Sequence, residues 1–291
     1  MLKKLSALFA LVAALNFTAC QKNASAVYTD ANDTQKILGG EVVLPTDIVA
    51  NSTVALKYIE GNDAYPMCTG TLISPNLVLT AAHCLRGQNF TQIRIGFSLD
   101  VKTQLDAETM YEISNVVIHP LYGINRLNDV ALIALTKAAP APYKPVAIVS
   151  EKYALTVGMP MLLAGYGVTN DLTGQDTEAL RKVTVPMAKI LDEEKIVVTD
   201  QTKASGACNG DSGGPAYLEK DGVLFVYGIT RGPHDGAPDC HHFGEYTHAS
   251  KFETFILESA ATLKTEIPSF VIPGEQTVVA VPTEPAAPVA Q

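Results

Sequence analysis

Three short segments carry side chains that together can do nucleophilic chemistry. His83 stands in Leu79-Thr80-Ala81-Ala82-His83-Cys84, Asp129 opens Asp129-Val130-Ala131-Leu132-Ile133, and Ser212 sits in Gly210-Asp211-Ser212-Gly213-Gly214-Pro215. A serine hydroxyl is a weak nucleophile near neutral pH and needs a base to take its proton as the oxygen attacks. An imidazole can be that base, and a carboxylate on its other nitrogen fixes the tautomer and steadies the imidazolium that forms. Each residue alone has an ordinary explanation: a hydrogen-bonded histidine, a strand-edge cap, a turn serine. Their joint context carries the chemical reading. The order His, Asp, Ser along the chain disfavours nucleophile-elbow hydrolases, in which the nucleophile comes first.

In this order, with His83 preceding Asp129 by 46 residues, the motifs resemble those of the trypsin/chymotrypsin family of serine peptidases. The resemblance runs from Ile37 through a terminal helix, about four fifths of the chain. It implies an all-β fold: two antiparallel six-stranded β-barrels packed side by side, with an amphipathic C-terminal helix. His83 and Asp129 would come from the first barrel and Ser212 from the second, and the boundary would fall near residue 145. The implied function is that of a serine endopeptidase working through an acyl-enzyme. Backbone N–H groups of Gly210 and Ser212 would form the oxyanion hole, and Gly210 lets the chain turn sharply without a side chain in the way. The family pattern pairs Cys68 with Cys84 and Cys208 with Cys240. A catalytically silent binding homologue is the alternative, and the presence of His83, Asp129 and Ser212 weighs against it.

The same resemblance implies a switch. Cleavage after Lys36 would free the amine of Ile37, in Ile37-Leu38-Gly39-Gly40, to enter the interior and pair with Asp211, ordering the neighbouring donors. A separate activating protease, or the enzyme itself, would make that cut. For the specificity pocket the family pattern points to Gly206, Gly232 and Gly244. Gly206 stands where trypsin-like members carry Asp, so the expected preference is for a large apolar or aromatic side chain, whose burial is worth ~2 kcal/mol. Lys/Arg specificity is the alternative, with Asp235, Asp239 or Glu245 supplying the carboxylate. Arg231 replaces the common aromatic in a pocket wall that reads one residue short. His241 and His242 have no third partner and are read as loop residues, so neither a metal nor another cofactor is expected.

Around these motifs the chain must build strands. Between about Thr53 and Thr230 the apolar runs are short, rich in Val, Ile, Leu and Tyr, and separated by turns such as Ser74-Pro75-Asn76 and Leu172-Thr173-Gly174. Val54, Leu56 and Tyr58 alternate with Thr53, Ala55 and Lys57, the two-residue period of a strand. Phe252, Phe255, Ile256, Ala260 and Leu263 recur at helical spacing and predict a helix over residues 249–264. With 291 residues, 47% hydrophobic, the chain can bury a substantial core. A formal charge of -9 without a basic block beyond Lys3-Lys4 excludes a nucleic-acid surface and leaves protein or peptide substrates open.

Residues 1–19 read as an export signal, with Lys3 and Lys4 before the apolar run Leu5 to Leu15. Asn16-Phe17-Thr18-Ala19-Cys20 resembles a bacterial lipoprotein processing site, making Cys20 a candidate for lipidation and membrane attachment before release; a plain signal peptide leaves Cys20 an unpaired thiol. Residues 20–36 read as a tether or pro-segment, 37–267 as the peptidase domain with barrels over 37–145 and 146–248, and 268–291 as a disordered Pro-rich tail in which Phe270-Val271-Ile272 has the composition to dock. Setting Cys20 aside leaves four cysteines, whose three possible pairings composition does not distinguish.

Overall fold

The computed structural model describes residues 37–100, 109–124, 127–170, 173, 179–191, 193, 195–203 and 205–275. The export segment, Cys20, Lys36 and the tail from residue 276 onward lie outside the described residues.

After a short strand β1 (Glu41–Val42), the first barrel is built from β2 (Thr53–Glu60), β3 (Asp63–Ser74), β4 (Leu77–Thr80), β5 (Ile93–Gly96), β6 (Met110–Ile118) and β7 (Ala131–Leu135). Between β4 and β5 lies a four-residue helix, α1 (Ala82–Leu85). The order β2-β3-β4-β7-β6-β5 closes on itself through antiparallel pairing of β5 with β2. A linking strand β8 (Ala147–Val149) precedes the second barrel: β9 (Pro160–Gly165), β10 (Arg181–Leu191), β11 (Ile196–Asp200), β12 (Pro215–Lys220), β13 (Val223–Pro233) and β14 (Phe243–His248). These run β12-β9-β10-β11-β14-β13, and antiparallel pairing of β12 with β13 completes the ring. The expected pair of six-stranded antiparallel barrels is therefore present. β1 adds to β10, and β8 lies parallel to β13.

The runs that form these strands are apolar for identifiable reasons. β7 is buried at every position because one face fills the barrel and helix α2 (Glu253–Leu263) packs against it from outside. Phe252, Ile256 and Ala260 enter the first barrel's core cluster, while Phe255 and Leu263 pack at its edge. The predicted helix thus begins as a 3-10 turn, Ala249–Phe252, and becomes α-helical at Glu253.

β2 is buried on both faces, and the tail departs from expectation. On β2 the face of Thr53, Ala55 and Lys57 is buried as well as its opposite, because it does not meet water. The second barrel covers it: the Tyr217 hydroxyl of β12 lies 2.9 Å from Ser52 Oγ and 3.0 Å from Thr53 Oγ1. Burial also pushes the Lys57 ammonium below its ordinary value, against the opposing charge of Asp100. The tail is ordered further than its prolines suggested. Residues Phe270–Val271 form β15, parallel to β8, with Ile148 N–H donating to Ser269 O and Ser150 N–H to Val271 O. Proline opposes a ladder only where its missing N–H is needed, and Pro268 and Pro273 flank this pairing.

Tyr217 joins the barrels through a buried hydroxyl whose partners Ser52 and Thr53 are themselves buried. Tyr217→Phe leaves Ser52 and Thr53 short of a partner and is expected to destabilise the protein by about 1–3 kcal/mol in chemical denaturation. An unchanged midpoint would mean that this bond does not tie the barrels together.

Candidate active site

β4 ends at Thr80, and the extended Ala81 turns the chain into α1, which presents His83 at the edge of the first barrel. The Cys68–Cys84 bridge, with Cα atoms 6.2 Å apart, ties α1 to β3. Asp129 arrives just before β7, and its carboxylate meets His83 twice. Oδ1 accepts the His83 backbone N–H at 2.9 Å, and Oδ2 lies 2.8 Å from Nδ1 of the ring. The carboxylate is 5% exposed and the imidazole 29%, so Asp129 is shielded while the ring reaches the cleft. With Nδ1 facing a carboxylate, the N–H is held on that nitrogen and Nε2 keeps its lone pair. Across the cleft, Thr247 Oγ1 of β14 donates to the Asp129 carbonyl at 3.1 Å, so the second barrel also holds this loop.

Ser212 is fixed from the other barrel's side by a residue the motifs did not flag. Thr69 of β3, fully buried, donates its N–H to Ser212 O at 2.8 Å and its hydroxyl to Gly210 O at 2.9 Å, and accepts the Tyr166 N–H at 3.1 Å. Its carbonyl accepts Thr80 Oγ1 at 3.0 Å. One threonine thereby links the serine loop to the strand that leads into α1. No periodicity marks such a residue; only the closed barrel brings it there. Gly210 holds φ at +93°, and a Cβ there would sit 2.8 Å from Gly167 Cα, so the turn before Ser212 requires glycine. The second bridge, Cys208–Cys240, has its Cα atoms 5.4 Å apart beside the same loop.

Asp211 points away from the cleft into the second barrel. Its Oδ1 accepts the Gly167 N–H and its Oδ2 the Cys208 N–H, both at 2.8 Å, and a Cβ on Gly165 or Gly167 would overlap the carboxylate. Burial pushes its carboxyl up to about 7, against the lowering effect of those two N–H groups. Ile37 is fully buried with φ at +27°, a conformation that a β-branched residue rarely adopts, and Leu38 bridges to Gly206.

Two concavities adjoin the motifs. One, of about 130 Å³, is lined by Ser212, Cys208, Thr230, Gly232, Gly244 and Glu245 among others. That is some ten times the ~10–15 Å³ one water needs, enough for part of a side chain. Beside it, His83, Asp129, Arg231, Asp235 and Glu245 line a groove. The expected pocket changes in one respect. Gly206 does not line the cavity; Gln201, at the end of β11, does. A Cβ on Gly206 or Gly244 would overlap the Gln201 side chain, so these glycines make room for an amide where an open pocket base was expected. Gln201 Nε2 donates to Ala207 O at 3.0 Å and Cys240 O at 3.1 Å. Its Oε1 accepts from Ala207 N–H, Thr199 Oγ1 and Tyr246 OH. Sequence reasoning missed Gln201 because only the return of β14 alongside β11 brings it under the pocket. His241 N–H donates to Asp239 Oδ1 at 2.9 Å, and His242 Nε2 lies 3.4 Å from the same oxygen, on the loop before β14.

The family model described as Trypsin matches residues 37–256, which span both barrels and every motif above. The chain belongs to the trypsin family. Brachyurin from Leptuca pugilator is 30% identical over 199 residues, 61% of this chain and 82% of that protein. Chymotrypsin-like elastase family member 1 from Canis lupus familiaris is 26% identical over 195 residues, 62% of this chain and 75% of that protein. Trypsin from Squalus acanthias is 31% identical over 243 residues, 80% of this chain and 99% of that protein. As a trypsin-family member the chain is a serine endopeptidase.

The Asp211 site generates a pH signature in the uncleaved chain. The unfolded carboxyl titrates near 3.8 and the folded one near 7, so between these values the folded state binds the extra proton. Stability is then highest below the lower value and falls as pH rises through the upper one, by on the order of 4 kcal/mol. Asp211→Asn is expected to flatten this fall when denaturation midpoints are compared at pH 5 and pH 8. Parallel pH profiles for the two proteins would contradict the assignment.

Proposed function

We propose that this trypsin-family endopeptidase uses Ser212 as nucleophile, His83 as general base and then general acid, and Asp129 as the partner that orients His83. The supporting observation is the double engagement of Asp129 with His83, through the backbone N–H and Nδ1 at 2.9 and 2.8 Å. It leaves Nε2 able to take the Ser212 proton as Oγ attacks a peptide carbonyl. Charge then moves to the carbonyl oxygen, where the N–H groups of Gly210 and Ser212 receive it, one aimed donor being worth roughly 3 kcal/mol. Return of the proton to the departing amine breaks the C–N bond and leaves an ester on Ser212. Water, deprotonated by His83, hydrolyses that ester and regenerates the hydroxyl.

In the same reading, cleavage after Lys36 activates the chain. The strained φ of Ile37 supports it, since breaking the preceding peptide bond removes that constraint. So does the buried Asp211, whose raised pKa falls once a cationic amine pairs with it. Export rests on residues 1–19, and lipidation at Cys20 on residues 16–20 alone. The relatives named above are animal proteins and lend no support to a bacterial lipoprotein form. Among the described residues no helix is long and apolar enough to cross a membrane.

For the side chain preceding the cut, the comparisons favour the Lys/Arg alternative over the apolar or aromatic preference expected from Gly206. The shark trypsin spans 80% of the chain at 31% identity, the dog elastase 62% at 26%. Glu245 is the carboxylate in the lining of the Ser212 cavity that would meet a basic group. Each of its oxygens has one near partner, Arg231 or His234, and a carboxylate oxygen can accept a second hydrogen bond. The apolar reading keeps one observation in its favour: the Gln201 amide offers an uncharged base with its hydrogen bonds already taken.

These readings are tested on precursor treated with trypsin. The new terminus is expected to begin at Ile37, and a fluorophosphonate reagent is expected to label one site per chain in the matured protein, with labelling and peptidase activity both abolished in Ser212→Ala. Undiminished activity in that variant would refute the nucleophile assignment. A start at Cys20 in active enzyme would refute the activation route. Peptide profiling expects cleavage after Lys or Arg, reduced at least tenfold in Glu245→Gln. A preference for Phe or Leu in both proteins would return the pocket to the apolar reading.

A further inference from the structure

The wall of the cleft contains a charged pair that the reaction above does not use. β13 and β14 lose register between Thr230 and Gly232, and such a bulge re-aims the side chain at its centre. That side chain is Arg231, on the shortened run Ile229-Thr230-Arg231-Gly232. Its Nη1 donates to Glu245 Oε2 at 2.7 Å, while its Nε lies 3.9 Å from Asp129 Oδ2, the same oxygen that faces the His83 ring. The guanidinium is 12% exposed and Glu245 18%, so water screens the pair weakly.

We infer that Arg231 is a positioning residue for Asp129 and that Glu245 cancels the field Arg231 would otherwise impose on His83. The inference rests on the proposed catalytic use of His83 and Asp129. A guanidinium 3.9 Å from Oδ2 attracts the carboxylate and opposes its rotation away from Nδ1. An uncompensated cation there would also oppose formation of the imidazolium on which proton transfer depends. Glu245 makes the support neutral, giving orientation without that penalty.

The charged groups around the pair come from four further places. His234, on the 3-10 turn after β13, has Nδ1 2.7 Å from Glu245 Oε1. Asp235 Oδ2 lies 3.3 Å from His234 Nε2, and Lys189 of β10 approaches the same nitrogen at 3.5 Å. Asp129 and His83 face the pair from the loop before β7 and from α1. Since His234 touches Glu245 directly, it can take up part of any charge change, and its ring must be followed alongside that of His83.

The test is an NMR titration of the histidine rings in matured protein carrying Ser212→Ala, a readout that needs no turnover. Glu245→Gln removes the negative charge at Arg231 Nη1 and is expected to lower the His83 midpoint by about 0.5 pH unit or more. Arg231→Gln removes the positive charge at Glu245 Oε2, leaving His234 as its near partner, and is expected to raise the midpoint by a similar amount. The double variant is expected to return close to the parent, and Arg231→Lys to keep the parent midpoint because it keeps the charge. Shifts of the same sign in both single variants, or none in either, would overturn the inference. If Arg231→Gln does not fold, Glu245→Gln decides alone, and a midpoint that rises or stays fixed refutes the charge balance. Loss of peptidase activity in the Ser212-bearing parent would count against the proposed function without altering this readout.

Discussion

An ionised carboxylate withdrawn from water must be compensated, and the need to compensate Asp129 organises the cleft. Burial of an unpaired carboxylate costs several kcal/mol, so the fold must bring donors to both oxygens. They come from one residue, His83, through backbone and ring together, which fixes the orientation of α1 relative to the loop before β7. The second barrel contributes Thr247 to the Asp129 carbonyl and the Arg231 guanidinium near the carboxylate. Neither barrel alone completes the environment of this residue, which is why the cleft lies between them.

Asp211 meets the same constraint differently. It too is buried, and burial raises its carboxyl to about 7 despite the two backbone N–H groups that donate to it. The two acids therefore differ in kind: Asp129 has charged or ionisable neighbours at hand, whereas Asp211 is surrounded by glycines and main chain. A site of the second sort responds strongly to a cation delivered from elsewhere, and a site of the first sort holds its geometry. Thr69 joins the two regions mechanically, since the Gly210 and Ser212 carbonyls on either side of Asp211 both depend on it.

What was legible in the sequence follows the range of the interactions concerned. The strands of the first barrel, part of the second, the helix and the three motifs are encoded in runs of a few residues that periodicity or local composition exposes, whereas β14 lies beyond the stretch Thr53 to Thr230 in which strands were expected. Thr69, Gln201 and Tyr217 are not exposed in this way, because each acts on a partner far along the chain: Thr69 on Gly210, Gln201 on Cys240, Tyr217 on Ser52. Gly206 misled in a more instructive way. The missing carboxylate at that position pointed to a neutral, deep pocket, while the structure packs the Gln201 side chain against that glycine.

The claim on which the account depends is that the Asp129 carboxylate holds His83 in the form that accepts a proton. Asp129→Asn keeps the shape and removes the charge, and the corresponding change in the chymotrypsin template costs about 10⁴-fold in turnover. Measured on matured protein, kcat for a peptide substrate is expected to fall by roughly 10³–10⁴-fold at neutral pH, with the denaturation midpoint showing that the variant remains folded. A folded Asp129→Asn protein that retained the parent kcat would contradict the account at its centre.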